Sequence, residues 1–176
     1  RFLGLLAVVF FTIIALSVPQ QLTSLYLQNV HHISIQQIGT MGTIASIGTA
    51  IIMFSLGNLR PSTGMLIGQL LLAGFALLMW QGQSVMAYFA GYFFVSGYQL
   101  YRSMALAFSR SLVKVADTGL AYGLVETGSA LAVVVAPLAA GFLYNYRPEA
   151  VYIASLGALV ITVGLNRLLF HEKRNE

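Results

Sequence analysis

Two ionisable side chains, Arg102 and Glu126, lie deep within apolar stretches of the sequence. Arg102 precedes the end of its stretch near Leu112, and Glu126 follows the start of the next stretch near Asp117. At 1.5 Å per helical residue, both charges lie about 13 to 15 Å from the turn between the stretches. Lone charges are costly in apolar surroundings, so the two are expected to pair. They would form either a structural ion pair or a switch, in which Glu126 takes up a proton when Arg102 turns to a substrate.

Polar residues recur at three- and four-residue steps around Arg102, a spacing that places them on one helical face. The stripe consists of Tyr88, Tyr92, Ser96, Gln99 and Arg102 or Ser103. A polar face in apolar surroundings indicates a water-filled cavity or buried polar contacts. We predict that Tyr88, Tyr92, Gln99 and Arg102 line a cavity. Interhelical hydrogen bonding and anchoring at the membrane interface are the alternative.

A second polar row, Gln20, Ser24 and Gln28, follows Pro19 near the end of the first apolar stretch. Proline removes a backbone hydrogen bond and favours a kink at this point. Gln20 and Ser24 are predicted to hydrogen-bond a polar substrate. Alternatively, the row marks only the approach of the helix to the membrane surface.

Most catalytic and metal chemistry is excluded by residue type. The chain has no cysteine, no H-E-x-x-H motif and no paired Asp cluster, and its histidines lie outside the apolar stretches. We therefore expect no metal site, no cofactor and no enzymatic activity, and we expect His31 and His32 to be solvated. No basic run is interleaved with aromatics, so nucleic-acid binding is not expected either.

The composition identifies the elements that must position these residues. Hydrophobic residues make up 58% of the 176 residues and charged residues 8%, so lipid must serve as the solvent. No charge interrupts the windows from Arg1 to Arg60 or from Arg60 to Arg102, and each window holds two crossings of about 20 residues. The sequence predicts an all-α membrane protein with Asp117 as an N-cap. Its six spans are placed at about 2–27, 34–56, 63–80, 85–112, 118–144 and 149–170.

The distribution of basic residues predicts the orientation of the spans. With Arg1 inside, eight of the nine Lys and Arg residues fall on the inner side and only Arg147 falls outside. The inner set is Arg1, Arg60, Arg102, Arg110, Lys114, Arg167, Lys173 and Arg174. We therefore expect a multi-pass protein of the bacterial inner membrane with both termini cytoplasmic. Because the chain opens on Arg1 rather than Met, we expect that an N-terminal portion is missing.

The first three spans are, in order, polar, rich in small residues and apolar. The last three spans repeat this order. This order predicts two inverted three-helix repeats, a layout typical of secondary transporters. Small residues let helices approach closely in lipid. The set predicted to pack in this way is Gly39, Gly42, Ser46, Thr49, Gly64, Gly68, Gly119 and Gly123.

Three short motifs carry a family resemblance. The turn from Gly57 to Gly64 resembles a degraded G-x-L-x-D-R-x-G-R-R loop: Gly57 and Leu59 match, one Arg remains at Arg60, and the Asp is absent. The stretches 116–123 and 136–141 resemble the entry and the late proline–glycine pattern of another helix of the same family. Together they resemble the C-terminal six-helix half of a major facilitator superfamily transporter.

This resemblance implies a secondary transporter half that moves a small solute by alternating access, with proton coupling as an option. It also implies a partner, a second six-helix bundle preceding this chain. A self-assembling six-helix module or channel subunit is the alternative. An intramembrane protease is disfavoured, because no histidine falls within a predicted span.

Overall fold

The computed structural model describes residues 2–170, and within that range it is helical with no strand. The helices are α1 Phe2–Asn29, α2 Ile35–Leu56, α3 Pro61–Gln81, α4 Val85–Phe94, α5 Gly97–Ser111, α6 Thr118–Tyr146 and α7 Ala150–Phe170. Five of them, α1, α2, α3, α6 and α7, are long and apolar enough to cross a membrane. The predicted all-α membrane fold is therefore confirmed. Arg1, Lys173 and Arg174, which entered the orientation argument, lie outside the described residues.

The fourth predicted span, 85–112, is not one continuous helix. It is divided at Val95 and Ser96, where the backbone keeps right-handed helical angles but tightens. The Ser96 N–H bonds to the carbonyl of Phe93 at 3.4 Å, and the Ser96 hydroxyl donates to the same oxygen at 2.6 Å. Three-residue hydrogen bonds of this kind are 3₁₀ geometry, and serine hydroxyls that compete for helix carbonyls promote it.

The helix ends follow local capping chemistry in most places. Ser34 caps α2 through a capping box with Gln37, and Pro61 is the first residue of α3. Asp117 is an exception. It precedes α6 as predicted, but a 3₁₀ turn gives it φ −97° and ψ 2°, and its side chain makes no cap hydrogen bond. The predicted side-chain cap is therefore wrong, because capping requires an extended backbone at that position.

Helix packing divides the bundle into an inner group and two edges. Helix α1 packs along α6 and α7, α3 packs along α4, α5 and α7, and α2 packs on α4 and α5. Only Met41, Gly48 and Ile52 of α2 are buried, whereas α1 and α3 bury much of their length. Helix α6 buries only six of its 29 residues, so α2 and α6 form the edges of the bundle.

Glycines bring α3 and α5 into backbone contact. A Cβ atom added at Gly68 would lie 2.8 Å from the carbonyl oxygen of Gly97, and one added at Gly97 would lie 2.6 Å from that of Gly68. A Cβ atom at Gly64 would meet the Met104 side chain at 2.5 Å. The predicted close packing at Gly64 and Gly68 is confirmed.

The other small-residue rows have no such contact. A Cβ atom added at Gly39, Gly42, Gly119 or Gly123 would meet nothing within 4 Å. The helix packing predicted at these four glycines therefore does not occur within the part of the chain that the structure describes. They leave faces of α2 and α6 open.

Candidate functional site

An ion pair joins α5 to α6 within the bundle. Arg102 Nη2 donates to Glu126 Oε2, and each side chain is 38% exposed. Tyr98, one turn before Arg102, interacts with both charges and with Ser17 of α1. No other ion pair occurs among residues 2–170. The two charges meet because α5 and α6 run antiparallel from a shared turn and Arg102 and Glu126 are similarly distant from it.

A polar row of α1 faces the same region. Ser17 interacts with Tyr98, and Ser24 interacts with Tyr92. Gln20 lies between the two serines, and its amide nitrogen is buried without a hydrogen-bond partner. An unsatisfied buried N–H is costly, so this group is available as a donor to a ligand or to water.

The polar stripe of the fourth predicted span is divided by the break at Ser96. Gln99 is exposed beside the Arg102 ion pair, and Tyr92 is half-buried with its ring edge-on to that of Phe75. Tyr88 is only 2% exposed and belongs to an aromatic cluster at the other end of the span. Tyr92 and Tyr88 are joined in one aromatic cluster through Phe75, Tyr152, Tyr26 and His31, whereas Gln99 and Arg102 lie on α5 beyond the break. That Tyr88, Tyr92, Gln99 and Arg102 line one cavity stays a prediction.

The turn that carries the family resemblance joins α2 to α3. Gly57 ends α2, Leu59 is half-buried, and Arg60 occupies the N-cap position of α3 without a side-chain cap bond. Arg60 lines a cleft of about 400 Å³ together with Phe108 and Ser111 of α5. Within the described range Arg60 has no carboxylate partner, consistent with the absence of the motif's Asp.

A buried polar network in the predicted apolar helices was missed from the sequence. Gln69 of α3 is fully buried, and its amide nitrogen donates to Thr12 of α1 at 3.3 Å and to Thr162 of α7 at 3.4 Å. Its oxygen accepts from Asn166 of α7 at 3.3 Å. The signal in the sequence was the helical spacing of Ser155, Thr162 and Asn166, which places them on one face.

The proline of α1 is integrated into the same interface. Pro19 has no N–H to bond the carbonyl of Ala15, and the Ser155 hydroxyl of α7 donates to that carbonyl at 2.6 Å instead. Thr23 donates to the carbonyl of Pro19 at 2.5 Å and accepts from Tyr152 of α7 at 3.2 Å. Helix α1 therefore continues through Pro19 with hydrogen bonds supplied by α7.

His31 is not solvated as predicted. Its ring lies 5.0 Å from the ring centroids of both Tyr26 and Tyr88, and its Nδ1 is 2.9 Å from the Tyr88 hydroxyl. That hydroxyl donates to the Gly82 carbonyl at 2.6 Å, so we assign the proton to His31 Nδ1. Nε2 is then a buried acceptor without a partner. His32 is exposed, as predicted.

Acidification is expected to destabilise this cluster. Burial lowers the pKa of His31 below its ordinary 6.5; Glu149 opposes this shift and His32 adds to it. The folded state therefore favours neutral His31. This contribution to stability is fully present above about pH 6.5 and is lost as the pH falls towards the lower folded pKa. We expect the thermal unfolding midpoint to decrease between about pH 7.5 and 5.5.

His31→Phe should weaken this dependence, because the phenyl ring still packs between Tyr26 and Tyr88 but does not titrate. His32→Asn is the matched control, since Asn tolerates the φ of 53° at this position. An equal pH dependence in wild type and His31→Phe would contradict the assignment.

Comparison with known proteins identifies the family. The model of the Major Facilitator Superfamily matches residues 3–176. No curated protein and no solved structure matched the chain. Members of the matched family are membrane transporters rather than enzymes, in agreement with the apolar helices of the structure. Because the match covers almost the whole sequence, the chain belongs to the Major Facilitator Superfamily.

Proposed function

We propose that this chain is the C-terminal half of a secondary transporter that moves a small solute by alternating access, with the Arg102–Glu126 pair as its coupling switch. The carrying observation is this ion pair, in which each side chain is 38% exposed and which joins α5 to the membrane-spanning candidate α6. Charges at such positions usually pair with each other or face water and mark transport pathways. Arg102 and Glu126 pair with each other and are also partly exposed.

The surroundings of Glu126 support an open pathway. By helical periodicity, Gly119, Gly123 and Ala130 share its face of α6. Ala130 is exposed, and Cβ atoms added at the two glycines would meet nothing within 4 Å. Glu126 therefore lies on a face that this chain leaves uncovered, as expected where a second six-helix bundle would enclose a substrate path.

Substrate contacts are proposed from polar groups of α1, α4 and α5. Gln20 has a free buried donor, Tyr92 and Ser24 interact across α1 and α4, and Gln99 is exposed. Together with Arg102 these groups would hold a polar solute. We further propose six crossings in two inverted repeats, with α4 and α5 sharing the fourth crossing. Both termini would be cytoplasmic in a bacterial inner membrane, as the basic residues indicate.

A second copy of this chain is the alternative occupant of the open α2 and α6 faces, as in a self-assembling six-helix module. The same uncovered glycines support it. The mass of the native polypeptide under denaturing conditions distinguishes the two: one long chain that carries both bundles, or a short chain that carries one.

Alternating access can be tested without knowing the substrate, because this chain contains no cysteine and any cysteine of the second bundle can be replaced by serine. Single substitutions Ser24→Cys and Ser103→Cys would place thiols towards opposite membrane faces. Glu126→Gln removes the carboxylate charge and should bias the transporter to one state. We expect the two labelling rates to move in opposite directions, with their ratio changing about tenfold, the effect of about 1.4 kcal/mol on the equilibrium.

Asp117→Asn is the matched control, since Asp117 lies in the turn outside the pair, and it should leave both rates unchanged. If Glu126→Gln changed both rates in the same direction, or neither, the pair would be structural and the switch would be rejected.

A further inference from the structure

A cleft at one end of the bundle is separate from the proposed transport site. It has a volume of about 760 Å³ and lies where α3 ends and where α6 turns into α7. Its walls include Trp80 of α3, Tyr146 of α6 and Ile153 of α7. Trp and Tyr at the ends of spans mark the level of the lipid headgroups. The cleft therefore lies at the membrane–water interface.

Both charged residues of this end of the bundle line the cleft. The turns here are 30–34, 82–84 and 147–149, and Arg147 and Glu149 are their only Lys, Arg, Asp or Glu. The two do not pair with each other within 4 Å in the described structure. The Arg147 guanidinium lies 5.9 Å from the centroid of the Tyr146 ring. The cleft thus presents one cation and one anion, neither of which has a salt-bridge partner among the described residues.

An apolar track leads from the cleft towards the membrane centre. Tyr146, Phe142 and Leu138 follow each other at four-residue steps on α6 and are 80%, 81% and 66% exposed. At 3.6 residues per turn, Phe142 lies about 160° around α6 from Glu126. The track therefore faces away from the surface that we assign to the partner bundle, and lipid chains are its expected neighbours.

We propose that this cleft binds a phospholipid whose headgroup carries both a phosphate and a primary ammonium, that is, an ethanolamine lipid. The phosphate would accept from the Arg147 guanidinium, and the ammonium would donate to the Glu149 carboxylate. Trp80 and Tyr146 would flank the glycerol region, and the acyl chains would follow Phe142 and Leu138. An anionic glycerol lipid would satisfy Arg147 but would leave Glu149 without a cation.

The test uses the intact purified protein and native mass spectrometry with equimolar phosphatidylethanolamine, phosphatidylglycerol and phosphatidylcholine. We expect phosphatidylethanolamine to be retained preferentially. Arg147→Gln should lower retention of all three lipids by about fivefold, the effect expected of one interfacial cation, whereas Arg147→Lys should retain binding. Glu149→Gln should abolish the preference for ethanolamine while phosphatidylglycerol still binds.

Arg110→Gln and Asp117→Asn, at the opposite end of the bundle, are the matched controls and should leave lipid retention unchanged. Circular dichroism establishes that each variant is folded. Wild-type retention in both cleft variants, preferential retention of phosphatidylglycerol by the wild type, or no retained lipid at all would overturn the proposal. Displacement of the lipid by an equimolar amount of soluble phosphoethanolamine would also overturn it, because the acyl track would then add no affinity.

Discussion

Gly68→Ala should destabilise the bundle by about 3 kcal/mol, near the upper end for overpacking, and Gly68→Val should prevent folding. The new Cβ atom would lie 2.8 Å from the Gly97 carbonyl oxygen and 2.9 Å from the backbone nitrogen of Tyr101. Both contacts are backbone atoms of α5, so no side chain can move aside and the helices must separate. Thermal unfolding in detergent and the yield of monodisperse protein measure the effect.

Gly164→Ala on α7 is the matched control. A Cβ atom there would meet nothing within 4 Å, and alanine favours the helix by up to about 1 kcal/mol over glycine. We expect unchanged or slightly raised stability. Equal effects of the alanine substitutions at Gly68 and Gly164 would show that α3 and α5 are not in backbone contact.

Gln69→Leu should lower the stability by about 2 kcal/mol, the sum of three lost interhelical hydrogen bonds in a membrane interior. Leucine has a similar volume, so the loss arises from polar groups rather than from a cavity. Thr12, Thr162 and Asn166 would lose their partner, and the buried amide of Asn166 would be the most costly to leave unpaired.

Gln36→Leu provides the comparison, because Gln36 is exposed at the start of α2. Its effect should remain within about 0.5 kcal/mol. Chemical denaturation in mixed micelles measures both variants. If Gln69→Leu were as stable as wild type, the network would contribute nothing to holding α1, α3 and α7 together.

The contact between Arg102 and Glu126 was predictable because it depends only on local geometry. Two antiparallel helices that share a turn bring residues equally distant from that turn to the same depth. The composition likewise required apolar helices in lipid, and the loop at Gly57 indicated the family. Each of these inferences rests on residues that are close together in the sequence or on the composition of the whole chain.

The break between α4 and α5 lies beside a contact between residues that are far apart in the sequence. Gly97 lies against Gly68 of α3, almost thirty residues earlier, and the chain tightens at Ser96 just before that contact. His31 was misjudged for a similar reason, because its partners Tyr26 and Tyr88 belong to different helices. Such features are determined by contacts between residues far apart in the sequence. The periodicity of a single segment carries no information about those contacts.

The small-residue rows show the converse error. Glycines at helical spacing predict close packing, but the partner of that packing need not belong to the same bundle. Gly64 and Gly68 find theirs in α5, whereas Gly119 and Gly123 find none within the described residues. The spacing of the glycines therefore did not specify which of them pack against another helix of this bundle.

The hydrogen bond from Ser155 to the carbonyl of Ala15 makes the stiffness of α1 depend on a residue of α7. Pro19 removes one backbone hydrogen bond from α1, and the Ser155 hydroxyl of α7 donates to the carbonyl that is left without that bond. The stiffness of α1 at this point can therefore be altered by substitutions in α7 alone. Ser155→Ala would loosen α1 without changing any residue of α1, and Ser155→Thr would retain the donor. A lineage could thus adjust the flexibility of a helix beside the proposed site while leaving every residue that faces the solute unchanged.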